Sequence, residues 1–156
     1  MARYACGTQN GGTPQAMTTT FKTLTAITAA TGATTLRRGW IYDISVGTDG
    51  TPADNAMTFQ VDRQTTLGTG TLGSGVLDGG DAVALLACTN NYTVEPTITA
   101  SSALWTLGMN QRASYRLQLA PGGEFIVPAV NVAGIGLRAK SPAYTGTATG
   151  TVNFWE

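Results

Sequence analysis

Two short segments alternate between apolar and polar residues with a period of two, and no other feature constrains the fold as strongly. Residues 40–46 place aromatic and aliphatic side chains on one face and Asp43 and Ser45 on the other, and residues 57–61 repeat the alternation. Successive side chains of a strand point to opposite faces, so both segments are predicted to be strands. The apolar faces comprise Trp40, Tyr42, Ile44, Val46, Met57, Phe59 and Val61. We expect Trp40 to lie in the core.

The composition supports an all-β chain. Its 156 residues include 27 Thr, which favours strands, and 20 Gly, which supplies turns and bulges. Only 12% of the residues are charged, which excludes a long charged helix or coiled coil. Short strands without alternating helices predict an antiparallel β-sandwich or barrel. Further strands are predicted at residues 17–29, 92–99, 103–107, 114–119, 124–127, 134–139 and 147–155.

Three connecting segments carry more specific predictions. Residues 82–87 are the one helix candidate, with Asp81 as its N-cap, so we expect at most one short helix. The glycine-rich residues 67–80 predict a loop. The run Ala-Pro-Gly-Gly at residues 120–123 predicts the turn of a hairpin.

The two ends of the chain suggest contacts with other molecules. Residues 1–16 lack periodicity and apolar anchors, which predicts a flexible arm before a single sandwich domain at residues 17–156. The arm carries Arg3 and Tyr4, residue types that are enriched at interface hot spots. Trp155 precedes the last residue given and is hard to bury fully there. We therefore predict Arg3, Tyr4 and Trp155 to be interface residues.

Residue content argues against catalysis. The chain has no His, which excludes Ser-His-Asp and Cys-His nucleophile pairs and His-ligated metal sites. Residues 68–73 match GxGxxG, but the glycine-rich continuation predicts no helix there and thus no dinucleotide site. Asp78 and Asp81 flank a Gly-Gly turn, and ordinary turn chemistry explains them better than calcium or a glycosidase pair. We expect no enzyme, catalytic residue, cofactor or metal.

Charge, apolar runs and cysteines bear on partners and compartment. Nine Lys and Arg balance nine Asp and Glu, which argues against nucleic acid as a partner. The longest apolar run, residues 82–88, is far shorter than the ~20 residues of a spanning helix. The start of the chain shows no signal peptide. We therefore expect Cys6 and Cys88 to be unpaired thiols of a reducing cytosol, with a disulfide left open as the alternative.

Several blocks of the sequence resemble small virion proteins of tailed bacteriophages, namely the head decoration, or cement, proteins on the outside of an icosahedral shell. The blocks lie within residues 38–140 and read IYDISVGTDGTPADNAMTF at 41–59, VEPT at 94–97, NQRA at 110–113, APGGE at 120–124 and GIGLR at 134–138. The resemblance implies a jelly-roll-like sandwich that forms homotrimers and clamps neighbouring subunits of the major capsid protein. It implies a virion location at the capsid surface, after assembly in the host cytoplasm.

Two alternatives remain beside this interpretation. Sugar-binding modules present aromatic platforms on β-sandwiches, so a glycan- or receptor-binding module of a phage tail or fibre is the main alternative. A secreted trimeric jelly roll is the other, and the lack of a signal peptide argues against it.

Overall fold

The computed structural model describes residues 2–8, 14–29, 36–142 and 146–156. These residues form thirteen β-strands and contain no helix. In chain order, β1 to β13 are Arg3–Gly7, Gln15–Ala16, Lys22–Thr28, Gly39–Asp49, Ala56–Gln64, Thr69–Leu72, Gly75–Val76, Ala87–Val94, Trp105–Asn110, Tyr115–Gln118, Phe125–Val127, Gly134–Lys140 and Thr147–Trp155.

The strands form two antiparallel sheets packed face to face. The first sheet has the order β10-β4-β13-β1-β7, with β11 also pairing with β4 and β2 with β13. The second has the order β6-β8-β3-β12-β5-β9. The chain is therefore an antiparallel β-sandwich, as the alternating segments predicted.

The strand order is that of a jelly-roll-like sandwich. Eight of the strands can be numbered first to eighth in chain order: β1, β3, β4, β5, β9, β10, β12 and β13. The first sheet then reads sixth-third-eighth-first and the second reads second-seventh-fourth-fifth. Two nested Greek keys produce this order. The remaining long strand, β8, and the short β6 and β7 come from an insertion between β5 and β9.

The core lies between the inward faces of the two sheets. Its largest fully buried side chains include Leu24, Ile27, Phe59, Leu137 and Phe154, each at most 1% exposed. Full burial of such a side chain stabilises the fold by roughly 1.5–3 kcal/mol. Glycines allow the sheets to approach closely, because a Cβ at Gly150 would lie 2.6 Å from a methyl carbon of Leu137.

The predicted arm is wrong for the residues that the structure describes. Strand β1 lies inside the first sheet, paired with β13 on one side and β7 on the other. Tyr4, Cys6 and Thr8 point inward and are buried, while Arg3 is exposed. These inward residues alternate with a period of two, and both pairing partners lie far away in the sequence. β2 pairs with β13, and residues 9–13 of the predicted arm lie outside the described residues.

Trp40 does not lie in the core, because β4 carries a bulge. Asn153 pairs with Asp43 and Phe154 with Ile41, so Tyr42 is an extra residue in β4. A bulge reverses the phase of the alternation. Ile41 is therefore the inward residue, at 1% exposure, and Trp40 lies on the outer face opposite Trp155.

Three connecting segments differ from the predictions. Residues 81–86 form no helix, and the backbone N–H groups of Leu85 and Leu86 donate to Glu156 instead. The residues 120–123 do form a turn, in which the Gly123 N–H donates to the Ala120 carbonyl. The strands it joins, β10 and β11, both pair with β4, so the turn does not close a hairpin. The glycine-rich segment contains β6 and β7 rather than loop alone.

Cys6 and Cys88 form a disulfide, so the prediction of unpaired thiols is wrong for this structure. The bond joins β1 of the first sheet to β8 of the second, across a sequence separation of 82 residues. Their Cα atoms are 5.7 Å apart, and both residues are buried. We call the side of the sandwich formed by β1 and β8 the sealed side, and the side formed by β9 and β10 the open side.

Candidate functional site

A row of four side chains crosses the outer face of the first sheet. Arg3 pairs with Trp155, Trp155 with Trp40, and Trp40 with Ile126, on four adjacent strands. The two indole rings stack with their centroids 4.0 Å apart and their planes 11° from parallel. Arg3 and Ile126 are exposed and both tryptophans are half-buried. We call these four residues the tryptophan row.

A second exposed apolar group lies in the insertion. Leu72, Leu77, Val83 and Leu85 form this group, the apolar strip, with exposures between 47% and 75%. Leu72 and Leu85 line one shallow cleft, and Leu77 lines another together with Arg3. Single exposed apolar residues are normal on a surface, but four large ones within residues 72–85 of one insertion make this group a candidate interaction site.

The strip and the row are joined by hydrogen bonds. The backbone N–H of Leu77 donates to the Arg3 carbonyl at 3.0 Å. The Glu156 carboxylate accepts from the N–H groups of Leu85 at 2.8 Å and Leu86 at 3.0 Å. Glu156 follows Trp155 directly, so it ties the strip to the row. We call the two groups together the docking face.

Tyr4 supports the docking face from below and is not part of it. Its ring is 2% exposed and stacks on Phe154, with the centroids 5.3 Å apart. Its hydroxyl donates to the Ala82 carbonyl at 3.1 Å. Burial raises the pKa of the Tyr4 hydroxyl, and the charge of Glu156 adds to the effect. The prediction of Tyr4 as an interface residue is therefore wrong, because the fold buries it.

An ion pair between a buried carboxylate and an exposed guanidinium lies in the neighbouring rows of the same outer face. Asp43 is 3% exposed and accepts from the Arg116 guanidinium at 2.7–3.2 Å and from the Asn153 amide at 3.1 Å. The hydrogen bond from Arg116 lowers the pKa of the Asp43 carboxyl below its ordinary value of 3.8, although burial opposes this. The pair joins β10, β4 and β13, so it stiffens the sheet that carries the row.

The other motifs of the sequence contribute turns and strands. The GxGxxG run contains β6. Its first glycine, Gly68, has a φ of 71°. A Cβ added at Gly68 would lie within 3 Å of backbone atoms of Val94 and Pro96. The Asp78 carboxylate accepts from the Gly80 N–H at 3.0 Å, which is a turn contact. Within the described ranges, no group of three or more acidic or Cys side chains could hold a metal ion.

The structure brings together two of the three predicted interface residues, Arg3 and Trp155, as a registered pair. Trp40 and Ile126, their neighbours on the sheet, were not predicted as interface residues. To place Trp40 on the outer face, one must know of the bulge in β4. To place Ile126 beside it, one must know that β11 pairs with β4. The apolar strip was not predicted either, because its residues are spaced along a segment that was predicted as loop and helix.

Comparisons with family models, curated proteins and solved structures find no match for this chain. Among the described residues, no helix has the length and apolar character needed to cross a membrane.

Proposed function

We propose that this chain is a bacteriophage virion structural protein that binds the outside of the capsid and stabilises contacts between subunits of the major capsid protein. In this proposal it is a decoration protein without catalytic activity, acts as a homotrimer, and has no nucleic acid or membrane partner. The similarity of residues 38–140 to head decoration proteins motivates the proposal, and the docking face supports it.

The docking face is the observation on which the proposal depends. It combines large exposed aliphatic residues with a stacked tryptophan pair and an exposed arginine. Tryptophan and arginine are enriched among the residues that contribute most to protein–protein binding. Apolar surface of this kind is stabilised when a partner covers it, at roughly 25 cal/mol per Å² of apolar area buried.

Rigidity of the face also suits a clamp. The disulfide links the strand of Arg3 to the second sheet, and Asp43 joins three strands of the first through its bonds with Arg116 and Asn153. A preorganised surface loses little conformational entropy on binding. Disulfides persist in oxidising surroundings such as the exterior of a released particle, which agrees with a virion location.

Binding to purified particles that were produced without this protein tests the proposal. We expect Val83→Asp and Leu77→Asp to weaken binding about tenfold each, which corresponds to about 1.4 kcal/mol. The matched control is Val94→Asp, because Val94 has an exposure of 58% against 55% for Leu77 but lies outside the docking face. Failure of the unaltered protein to bind, or equal loss in the control, would contradict the proposal.

The glycan-binding alternative has the tryptophan pair in its favour. Each indole covers one face of the other at a centroid distance of 4.0 Å, so less ring surface is available to stack on a sugar. A glycan array separates the two functions. Binding to a defined glycan that Trp40→Ala and Trp155→Ala abolish, without binding to particles, would favour the tail or fibre module.

A further inference from the structure

In the part of the chain that the structure describes, four strands stand at the ends of the two sheet orders, and three of them carry features that prevent pairing. β7 has only two residues, and β6 has an irregular register against β8. The β10 edge carries Arg116 and is interrupted by the turn that contains Pro121. Short strands, charges, prolines and irregularities are the usual devices that keep strand edges from joining other chains.

β9 lacks all of these features. Its six residues read WTLGMN, without charge or proline, and they pair with β5 in an unbroken register. Within the described ranges, no strand pairs with its outer edge. An edge of this kind is a template for another strand, and peptide recognition by strand addition uses such edges.

The backbone groups on the free edge can be assigned. The Gln111 N–H donates to the Asn55 carbonyl, and β9 continues this ladder against β5. Hydrogen-bonded pairs alternate along an antiparallel ladder. The odd-numbered residues of β9 therefore bond to β5, and the N–H and C=O groups of Thr106, Gly108 and Asn110 point outward. Of these groups, the Asn110 carbonyl already accepts a hydrogen bond from the Ala113 N–H at 3.0 Å.

We propose that the free edge of β9 pairs with the same edge of a second copy of this chain, antiparallel about a two-fold axis at Gly108. In this register Gly108 lies opposite its own copy and Thr106 lies opposite Asn110. This is the two-fold register that uses the backbone groups of all three outward residues. It forms six N–H···O bonds, two from each of three residue pairs, and the Asn110 carbonyl of each copy accepts its new bond in addition to the one from Ala113.

The side chains are compatible with this pairing. On the core side, Leu107 would lie opposite Met109 of the partner copy, so apolar residues meet. On the solvent side no charged residue of β9 faces another, and the chain has a formal net charge of zero. The contact joins copies in pairs, so it is independent of the proposed capsid function and can be tested in the purified protein.

Cysteine cross-linking tests the contact and its register. Hydrogen-bonded antiparallel pairs have Cα atoms about 5.5 Å apart, within the range that a disulfide spans. A side chain at position 108 is tolerated, because a Cβ added to Gly108 would have no atom within 4 Å apart from those of the two adjacent residues. We expect Gly108→Cys to form a covalent dimer on non-reducing gels under mild oxidation.

Thr106→Cys is the matched control, because it lies on the same exposed face of the same strand but opposite Asn110. Alone it should form about tenfold less covalent dimer than Gly108→Cys, whereas a mixture of Thr106→Cys and Asn110→Cys chains should cross-link. Equal cross-linking of Gly108→Cys and Thr106→Cys, or none by Gly108→Cys, would overturn the proposal.

Charge variants at the axis provide a second test that needs no oxidation. Gly108→Lys and Gly108→Glu each place like charges opposite one another, which disfavours pairing of identical chains. Mixing the two should restore association, measured as an increase in mass by analytical ultracentrifugation at high protein concentration. Association of either variant alone to the extent of the unaltered chain would also overturn the proposal.

Discussion

The two sides of the sandwich close the same gap between sheets by different means. On the sealed side a buried disulfide joins β1 to β8, and β6 and β7 add further pairing. On the open side Trp105 of β9 and Tyr115 of β10 stack with their centroids 6.0 Å apart, and Tyr115 is 42% exposed. The sealed side is held by a covalent bond and the open side by a half-exposed aromatic contact.

The two sides therefore differ in role: one stabilises the fold, and the other leaves a strand edge available for pairing. The sealed side lies beneath the docking face, where a rigid support is useful for binding. The open side carries the unprotected edge of β9, where a backbone must remain free to accept a partner strand.

Removal of the disulfide should have the largest effect. We expect the Cys6→Ala/Cys88→Ala double variant to lose about 4–5 kcal/mol of unfolding free energy in the loop-entropy account, since the bond closes a loop of 82 residues. Urea unfolding measures the loss, and the unaltered protein with and without reductant provides the control. A loss below about 1 kcal/mol would show that the sealed side does not depend on its covalent bond.

The aromatic contact on the open side should contribute less. A double-mutant cycle with Trp105→Ala and Tyr115→Ala should give a coupling energy of about 0.5–1.5 kcal/mol, the usual value for an aromatic pair. Tyr4 of β1 stacks on Phe154 of the neighbouring strand β13, and both are buried, so their individual variants should cost more. A coupling larger than the cost of removing the disulfide would reverse the comparison.

Acid should loosen the open side first. The pKa of Asp43 is lowered in the folded state, so its contribution is present above the unfolded value near 3.8 and is lost as pH falls through the folded value. Because Arg116 lies in β10, hydrogen-exchange protection in β10 should fall severalfold below about pH 4 while β1 stays protected. Asp43→Asn should show the low protection already at neutral pH. An equal loss of hydrogen-exchange protection in β1 and β10 would contradict the prediction.

The ion pair between Arg112 and Asp54 should matter least. Their side chains are 60% and 73% exposed at a distance of 3.4 Å, near the end of β9. Exposed pairs of this kind contribute little, so Asp54→Ala should change the unfolding free energy by less than about 0.5 kcal/mol. Thermal unfolding in low and high salt measures it, and a larger change would mean that the open side depends on surface charge.

Local sequence patterns were sufficient to predict the strands whose inward faces are apolar. The alternation at residues 57–61 corresponds to β5, and the predicted strand at 147–155 is β13. They were not sufficient for β1, whose inward Cys6 and Thr8 gave a weak signal in a segment rich in Gly and Thr. They also failed for Trp40, because a bulge depends on pairing with a distant strand and leaves the alternation in the sequence intact.

The candidate site was harder to predict than the fold. Arg3 and Trp155 were found by residue type, but their neighbours on the sheet come from β4 and β11. The disulfide also depends on two strands that are 82 residues apart in the sequence. Such relations are set by strand order across the sheets, which spacing along the chain does not contain.

The strand order also has a consequence for synthesis on the ribosome. β13 lies between β1 and β4, and β12 lies between β3 and β5. All four flanking strands are translated earlier, yet within the described residues neither pair is in direct contact in its sheet. Each sheet therefore remains in two halves until residues 134–155 have left the exit tunnel. The nascent chain must hold its strands unjoined until then, so completion of the sandwich is a late and cooperative event.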